Sequence, residues 1–199
     1  MPTSNKIALL VHGYNVRDHG EKTIGRFRPF LISRGWDTIM FRMGWMGLIQ
    51  VYLQNKKHAR RLAAAASNAK KQTKAKVIAV GHSNGCAIIH MAATQFNAPI
   101  DRICYINPAL EKDMVPGKQV KQIDVWYSPS DRPVQLAKYL PRHIWGEMGS
   151  TGYVGEDLRF TNFNKEDMAV SSNEHSDFAA AEKLSFFGPL IANRLIQGL

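Results

Sequence analysis

The chain has 199 residues, 45% of them hydrophobic, and is long enough to bury a core without disulfide bonds or a structural metal. Its two cysteines, Cys86 and Cys104, stand inside apolar segments and match neither a disulfide framework nor a metal-ligand spacing. The formal net charge is +10, and residues 1–76 hold 15 of the 26 basic residues but only 3 of the 16 acidic ones. No targeting segment is visible, so the cytoplasm is the expected compartment.

Short apolar runs alternate with longer helical patterns, and no linker or internal repeat divides the chain. Six runs predict strands: Lys6–Val11, Trp36–Phe41, Lys76–Gly81, Ile100–Ile106, Val120–Tyr127 and Leu158–Phe163. Helical spacing predicts helices over Thr23–Ser33, Tyr52–Lys71, Asn84–Gln95, Val134–Leu140 and Phe178–Ile196. The alternation predicts one α/β domain over residues 1–199, with a mostly parallel sheet of about six strands and helices on both faces. In such sheets, ligands bind beyond the carboxyl ends of the strands.

Much of the basic excess lies between Gln54 and Lys76, a segment with eight basic residues and no carboxylate. The basic side chains fall opposite the alanines of the predicted helix, as on a solvated outer face. The segment holds neither an aromatic stacking platform nor a known docking motif, so we expect no specific nucleic-acid partner. Weak attraction of the basic helix 56–76 to an anionic surface stays open.

The sequence GHSNG, residues 81–85, lies where a strand ends and a helix begins. A serine in such a sharp turn presents its hydroxyl at the sheet edge, and its neighbours must be small because strand and helix pass close together. Gly81 and Gly85 meet that requirement, and the helix directs free N–H groups at Ser83. The alternative is that Ser83 is an ordinary helix cap.

The sequence HGYN, residues 12–15, ends the first predicted strand at the same sheet edge. Gly13 lets the chain turn, so that the next backbone N–H can face the serine. A tetrahedral oxyanion needs two such donors, and we assign this role to the N–H groups of Tyr14 and Asn84.

Together and in this order, the two motifs resemble those of the α/β-hydrolase fold family of serine hydrolases. The resemblance extends over nearly the whole chain, from Lys6 to Leu195. It implies an acidic residue after a later strand and a histidine after the last one.

The resemblance places the acid in the loop after the fifth predicted strand, where Asp131 stands. Glu111 and Asp113 are alternatives, and Asp131 could instead cap the next helix. The histidine is expected after the last strand, where His175 stands. His143 also comes late in the chain, but it precedes the last strand.

Only thirteen residues, Asn107 to Gln119, separate the fourth and fifth predicted strands, which leaves no room for a cap domain. We therefore expect an open acyl-binding site. Two apolar loops could cover it, Met43–Val51 with Trp45 and Met46, and Pro141–Asp157 with Trp145. These large side chains could equally seal the edge of the core.

The resulting hypothesis is a compact serine hydrolase that cleaves a small-molecule or lipid-like carboxylic ester with the triad Ser83, Asp131 and His175. It requires no metal or organic cofactor. An amide or thioester hydrolase with the same triad is the alternative among enzymes. A binding protein that retains the hydrolase fold without turnover is the alternative outside them.

Overall fold

A computed structural model of the chain describes residues 5–14, 16–44, 47–137 and 145–197. Their strands form one six-stranded, all-parallel sheet in the order β2-β1-β3-β4-β5-β6. The strands are β1 (Lys6–Val11), β2 (Asp37–Phe41), β3 (Lys76–His82), β4 (Arg102–Ile106), β5 (Gln122–Tyr127) and β6 (Phe160–Asn164). All six predicted strands are confirmed, with ends that differ by two residues at most.

Six α-helices lie between or after these strands in the described residues: α1 (Arg28–Ile32), α2 (Leu48–Thr73), α3 (Asn84–Gln95), α4 (Arg132–Ala137), α5 (Met148–Thr151) and α6 (Ala181–Ile196). The 3₁₀ helices Ile24–Phe27, Lys165–Asp167 and Asp177–Ala179 complete the regular structure there. Helix α3 has the bounds predicted from the sequence.

Two loop predictions need correction. Helix α2 begins at Leu48, inside the segment predicted as the loop Met43–Val51, and the predicted loop Pro141–Asp157 contains α5. The start of α2 carries no side-chain cap, since its N-cap residue is Gly47. A helix that begins at glycine lacks the Ser, Thr, Asp or Asn that marks a start in the sequence.

The sheet is covered on both faces, and each face has its own hydrophobic core. One cluster joins alternate strand residues such as Leu9 and Ala79 to α2, α3 and the segment around Leu110. The other joins the intervening residues, such as Leu10 and Val80, to α6 and its neighbours. The continuous apolar runs arise because successive side chains of a strand point to opposite faces, both of which are buried.

Helix α2 separates a buried face of alanines and Leu62 from an exposed basic face. Leu53, predicted on the apolar face, is 75% exposed instead. The segment around Lys70 contains no carboxylate, but Lys70 pairs with one from elsewhere in the chain. Its Nζ lies 2.8 Å from both carboxylate oxygens of Asp101. None of the described helices has the length and apolar character needed to cross a bilayer.

The connection between β4 and β5, residues 107–121, is described throughout and contains neither helix nor strand. It carries no cap domain, as the sequence predicted. Because all strands are parallel, the segments after β1, β3, β4, β5 and β6 emerge at one edge of the sheet. The candidate site lies at this edge.

Candidate active site

Ser83 occupies the junction between β3 and α3 with backbone angles φ 56° and ψ −125°. A positive φ at a residue with a side chain costs on the order of 1–3 kcal/mol and persists only where the surroundings enforce it. Here the Ser83 N–H donates to the Ile106 carbonyl at 3.1 Å, and its carbonyl accepts from the Cys86 N–H at 3.0 Å. The turn therefore holds Ser83 in a strained conformation.

Three glycines allow β1, β3 and α3 to pass close together around Ser83. A Cβ atom on Gly85 would lie 2.3 Å from the Val11 carbonyl oxygen, and one on Gly81 would lie 2.9 Å from the Cys86 nitrogen. A Cβ on Gly13 would lie 3.0 Å from Ser83 Cβ. The glycines of both sequence motifs are thus required where β1, β3 and α3 meet.

Asp131 and His175 form a direct pair at the same edge. His175 Nδ1 lies 2.7 Å from Asp131 Oδ2 and 3.0 Å from Asp131 Oδ1. The Asp131 side chain is fully buried, whereas that of His175 is 19% exposed. Asp131 Oδ1 also accepts the N–H of Val134 at 3.2 Å, so the carboxylate caps α4 as well as holding the histidine.

His175 is tied to the residue that precedes Ser83. His82 Nε2 lies 2.8 Å from the His175 carbonyl oxygen, and the two imidazole centroids are 4.7 Å apart. Complete burial holds the pKa of His82 well below its ordinary value, so this ring is neutral and donates to the carbonyl. The hydrogen bonds of the described residues do not include one between Ser83 Oγ and His175 Nε2. Such bonds often form only when substrate is bound.

Asn84, the first residue of α3, is buried and its side chain is fully engaged. It exchanges two amide hydrogen bonds with Asn55 of α2, at 2.9 and 3.1 Å. Trp145 Nε1 donates to the same Asn84 Oδ1 at 2.9 Å, and the Trp145 ring contacts that of Tyr14 with centroids 5.2 Å apart. Asn55 and Trp145 therefore hold the side chain of the residue that follows Ser83.

Among solved structures, an esterase from Pyrococcus furiosus superposes with a TM-score of 0.65 at 11% identity, over 96% of this chain and 81% of that one. An α/β serine hydrolase without a lid from Xanthomonas campestris gives 0.61 at 14% identity, over 98% and 83% of the two chains. This chain has the α/β-hydrolase fold. An extracellular α/β-hydrolase from a Paenibacillus species is also similar, with a TM-score of 0.53 at 12% identity, over 94% and 96%.

No protein-family model and no curated protein sequence matches the chain. At identities of 11 to 14%, the structural likeness establishes the α/β-hydrolase fold alone. The roles of individual residues therefore have to come from the geometry of the site.

Several residues named from the sequence are not part of the Asp131–His175 pair or of the Ser83 turn. Glu111 and Asp113, the alternative acids, are not among the hydrogen-bond partners of His175 in the described residues. Trp145 is buried, with 8% of its surface exposed. Trp45, Met46 and the alternative histidine His143 lie outside the described residues.

Sequence reasoning missed three residues of this candidate site. Asn107, directly after β4, donates from Nδ2 to Asp131 Oδ2. Glu166, two residues after β6, accepts from Ser128 Oγ at 2.5 Å and from the Ser130 N–H at 2.7 Å, which fixes the Asp131 loop. Asn55 is the third, through its bonds to Asn84. The position of Asn107 and Glu166 at strand ends was the one signal that could have identified them.

Two depressions border the site. One, of about 370 Å³, lies between α2, α3 and the 107–121 connection, and is called the α2–α3 groove below. The other, of about 1050 Å³, is an open depression lined by His175 and its loop. Within the described residues, no three His, Cys, Asp or Glu side chains are grouped to hold a metal ion.

Proposed function

We propose that this α/β-hydrolase fold carries a serine hydrolase that cleaves carboxylic esters, with Ser83 as nucleophile, His175 as base and Asp131 as the acid. The observation that carries the proposal is the Asp131–His175 pair, with a 2.7 Å contact at the same sheet edge as the strained Ser83. An aspartate on Nδ1 leaves Nε2 of the imidazole free to accept a proton.

The proposed reaction has two halves. His175 Nε2 takes the Ser83 hydroxyl proton as Oγ attacks the acyl carbon, and passes that proton to the departing alcohol. Water then gives a proton to His175 while its oxygen attacks the acyl group, and Ser83 regains the proton as the acid leaves. Asp131 holds the tautomer and stabilises the imidazolium, and no metal or organic cofactor enters either step.

The oxyanion of each tetrahedral intermediate would be bound by the backbone N–H groups of Tyr14 and Asn84. Asn84 supports this role because it begins α3, where N–H groups lack helical partners and the helix dipole favours negative charge. Its side chain is held by Asn55 and Trp145, which fixes the direction of the peptide. One oxyanion donor contributes on the order of 10²–10³ in turnover in comparable enzymes.

Contact between substrate and Trp45, Met46 and Trp145 is part of the proposal. Trp145 is only 8% exposed and packs against Tyr14, so its direct contact with substrate would be small. Its stronger contribution is the hydrogen bond to Asn84 Oδ1.

A fluorophosphonate probe tests the nucleophile. The wild-type protein should be labelled and Ser83→Ala should not, while Ser185→Ala, which removes an exposed serine hydroxyl of α6, should be labelled like the wild type. Equal labelling of the wild type and Ser83→Ala would overturn the assignment. Lack of labelling together with lack of ester turnover would favour a non-catalytic binding protein.

Substrates with the same acyl group distinguish an ester hydrolase from an amide or thioester hydrolase. We expect p-nitrophenyl esters to be hydrolysed faster than the corresponding anilides and thioesters. Faster turnover of anilides or thioesters at equal acyl length would make the amide or thioester hydrolase the correct function, because the triad serves all three acyl transfers.

We also propose that the exposed face of α2 is attracted to anionic lipid surfaces. Lys56, Lys57, Arg60 and Arg61 are exposed on a helix without a carboxylate, and Ile49 and Leu53 are 69% and 75% exposed at its start. Basic and apolar side chains together are typical of helices that lie on membranes.

Vesicle sedimentation tests this attraction. Binding to vesicles with anionic lipid should exceed binding to neutral vesicles, and should fall with salt and in a Lys57→Glu, Arg60→Glu variant. Lys118→Glu, an exposed lysine on the 107–121 connection, is the control. Equal binding by the α2 variant and the wild type would contradict the proposal.

A further inference from the structure

The α2–α3 groove is a depression beside the proposed catalytic residues, with both apolar and polar side chains in its lining. Its walls come from α2, α3 and the 107–121 connection, and its main apolar lining consists of Val51, Tyr52, Ala87, Met91, Leu110 and Met114. Val51 and Leu110 belong to the core on the α2–α3 side of the sheet, so this part of the wall is rigid.

One end of the groove adjoins the Ser83 turn. Ala109, which lines the groove, donates its N–H to the Ser83 carbonyl at 3.4 Å. Asn55, another lining residue, is bonded to Asn84. Ala87 lies four residues after Ser83, about one turn along α3. The wall residues are thus in direct contact with the serine and with the proposed oxyanion donor.

The chemistry of the intermediate decides which part of an ester enters this groove. Its carbon carries Ser83 Oγ, the oxyanion at the Tyr14 and Asn84 N–H groups, the leaving alcohol and the acyl chain. The leaving oxygen must face His175, which protonates it. His175 lies on the other side, since its neighbour His82 contacts Phe178 of the α6-side core. The acyl chain is the substituent left for the α2–α3 side.

We propose that the α2–α3 groove binds the acyl chain of the ester, as an uncharged hydrocarbon chain that extends along α3 from Ala87 towards Gln95. The inference rests on the ester hydrolase function proposed above. The alcohol would leave through the open depression beside His175.

The size and polarity of the groove match this occupant. Its volume of about 370 Å³ lies within the range for ligand sites and is large enough for a hydrocarbon chain. From Ala87 to Gln95, α3 rises about 12 Å. Burial lowers the pKa of His90 to about 4, so this lining residue is neutral at pH 7. The formal charges of the lining belong to Lys56 and Glu111.

Chain-length selectivity tests the inference, measured as the ratio of kcat/KM for p-nitrophenyl octanoate to that for p-nitrophenyl acetate. Ala87→Leu adds three carbons to the wall next to Ser83, so the ratio should fall about tenfold or more. The control is Ala64→Leu, the same substitution at an exposed position of α2, and it should leave the ratio at the wild-type value.

A second pair of variants keeps the test valid if Ala87→Leu does not fold. Met114 and Val115 are adjacent in the chain and equally exposed at 39%, but only Met114 lines the groove. Met114→Ser should lower the octanoate-to-acetate ratio several-fold through lost apolar contact, and Val115→Ser should not. Circular dichroism shows whether each variant has folded.

The outcomes separate the groove from the proposed function. Ser83-dependent hydrolysis of both esters, with a ratio unchanged in folded Ala87→Leu and in Met114→Ser, would overturn the groove assignment alone. If Ala87→Leu and Met114→Ser slowed the hydrolysis of octyl acetate and not that of p-nitrophenyl octanoate, the groove would bind the alcohol. That result would also overturn the acyl-chain assignment. Lack of hydrolysis of any ester by the wild type would instead defeat the proposed function.

Discussion

Asn107 Nδ2 donates a hydrogen bond to Asp131 Oδ2, the same carboxylate oxygen that lies 2.7 Å from His175 Nδ1. Asn107 is buried in a left-handed conformation with φ 46°, and its N–H donates to the Trp126 carbonyl at 2.8 Å. The end of β4 therefore presents a fixed amide that orients the carboxylate towards the histidine. In the proposed mechanism, this contact positions the acid without touching the substrate.

Replacement of Asn107 by glycine removes the amide and keeps a residue that tolerates positive φ. Hydrogen bonds to charged groups contribute about 1.5–3 kcal/mol, so we expect kcat for p-nitrophenyl acetate to fall between about tenfold and a hundredfold with KM little changed. Asn97→Gly is the matched control, because Asn97 is exposed and has the same φ of 46°. A kcat equal in the two variants would show that Asn107 does not position Asp131.

Glu166 holds the Asp131 loop from the end of β6. Burial opposes ionisation of its carboxyl, but hydrogen bonds from Ser128 and Ser130 outweigh that effect and keep its pKa below the ordinary value. Glu166→Ala removes both bonds, and we expect kcat to fall by about tenfold as the loop loosens. Glu166→Gln keeps an acceptor and should recover part of the loss.

Glu182→Ala provides the comparison for Glu166, since Glu182 is an exposed carboxylate that lines the open depression beside His175. Steady-state kinetics of the three variants with p-nitrophenyl acetate give the measurement. If Glu166→Gln were no more active than Glu166→Ala, the accepted hydrogen bonds would not explain the effect.

The inner strands were predictable because their residues are buried on both faces and read as continuous apolar runs, as in Lys6–Val11 and Lys76–His82. The start of α2 was not, because Gly47 gives no cap signal. Leu53 was assigned to the buried face because helical spacing shows which residues share a face of the helix. The spacing does not show whether another element covers that face at the first turns of α2. That cover depends on tertiary contacts.

The GHSNG motif singled out Ser83, and the resemblance to the α/β-hydrolase family pointed to Asp131 and His175 after later strands. Their supporting residues could not be predicted in this way, because the contacts join residues far apart in sequence. Asn107 lies 24 residues from Asp131, and Asn55 lies 29 residues from Asn84. Asparagine at a strand end or in a helix has many ordinary roles, so its type alone indicates no partner.

Gly85→Ala tests the close approach of α3 to β1. The added Cβ would lie 2.3 Å from the Val11 carbonyl oxygen and 2.6 Å from that of His12, and backbone atoms cannot move aside cheaply. We expect the free energy of unfolding to fall by about 3 kcal/mol or more. Urea denaturation followed by circular dichroism measures it.

Gly35→Ala is the control for Gly85→Ala. Gly35 has φ 78°, and apart from its neighbours in the chain no atom lies within 4 Å of the position of an added Cβ, so this variant reports backbone strain without a clash. It should cost about 1–2 kcal/mol. A smaller loss in Gly85→Ala than in Gly35→Ala would mean that the strand and helix separate easily.

Lys165 gives the stability a pH dependence that can be measured. It is fully buried, donates from Nζ to Ser172 Oγ at 3.2 Å, and lies near the carboxylate of Asp177, which accepts from Ser172. Burial lowers the pKa of its ammonium group from 10.5 to about 8, although Asp177 and Asp131 oppose the shift. Between pH 8 and 10.5 the unfolded chain keeps this proton and the folded one loses it.

The free energy of unfolding contributed by Lys165 must therefore rise with pH across that window, because the unfolded state binds more protons there. We expect the difference in unfolding free energy between the wild type and Lys165→Met to shift in favour of the wild type by up to about 3 kcal/mol from pH 7.5 to pH 10.5. Urea titrations at intervals of half a pH unit measure it. Lys57→Met, at an exposed position on α2, should show no comparable shift. A difference independent of pH would mean that Lys165 keeps its proton in the folded state, with Asp177 and Asp131 outweighing its burial.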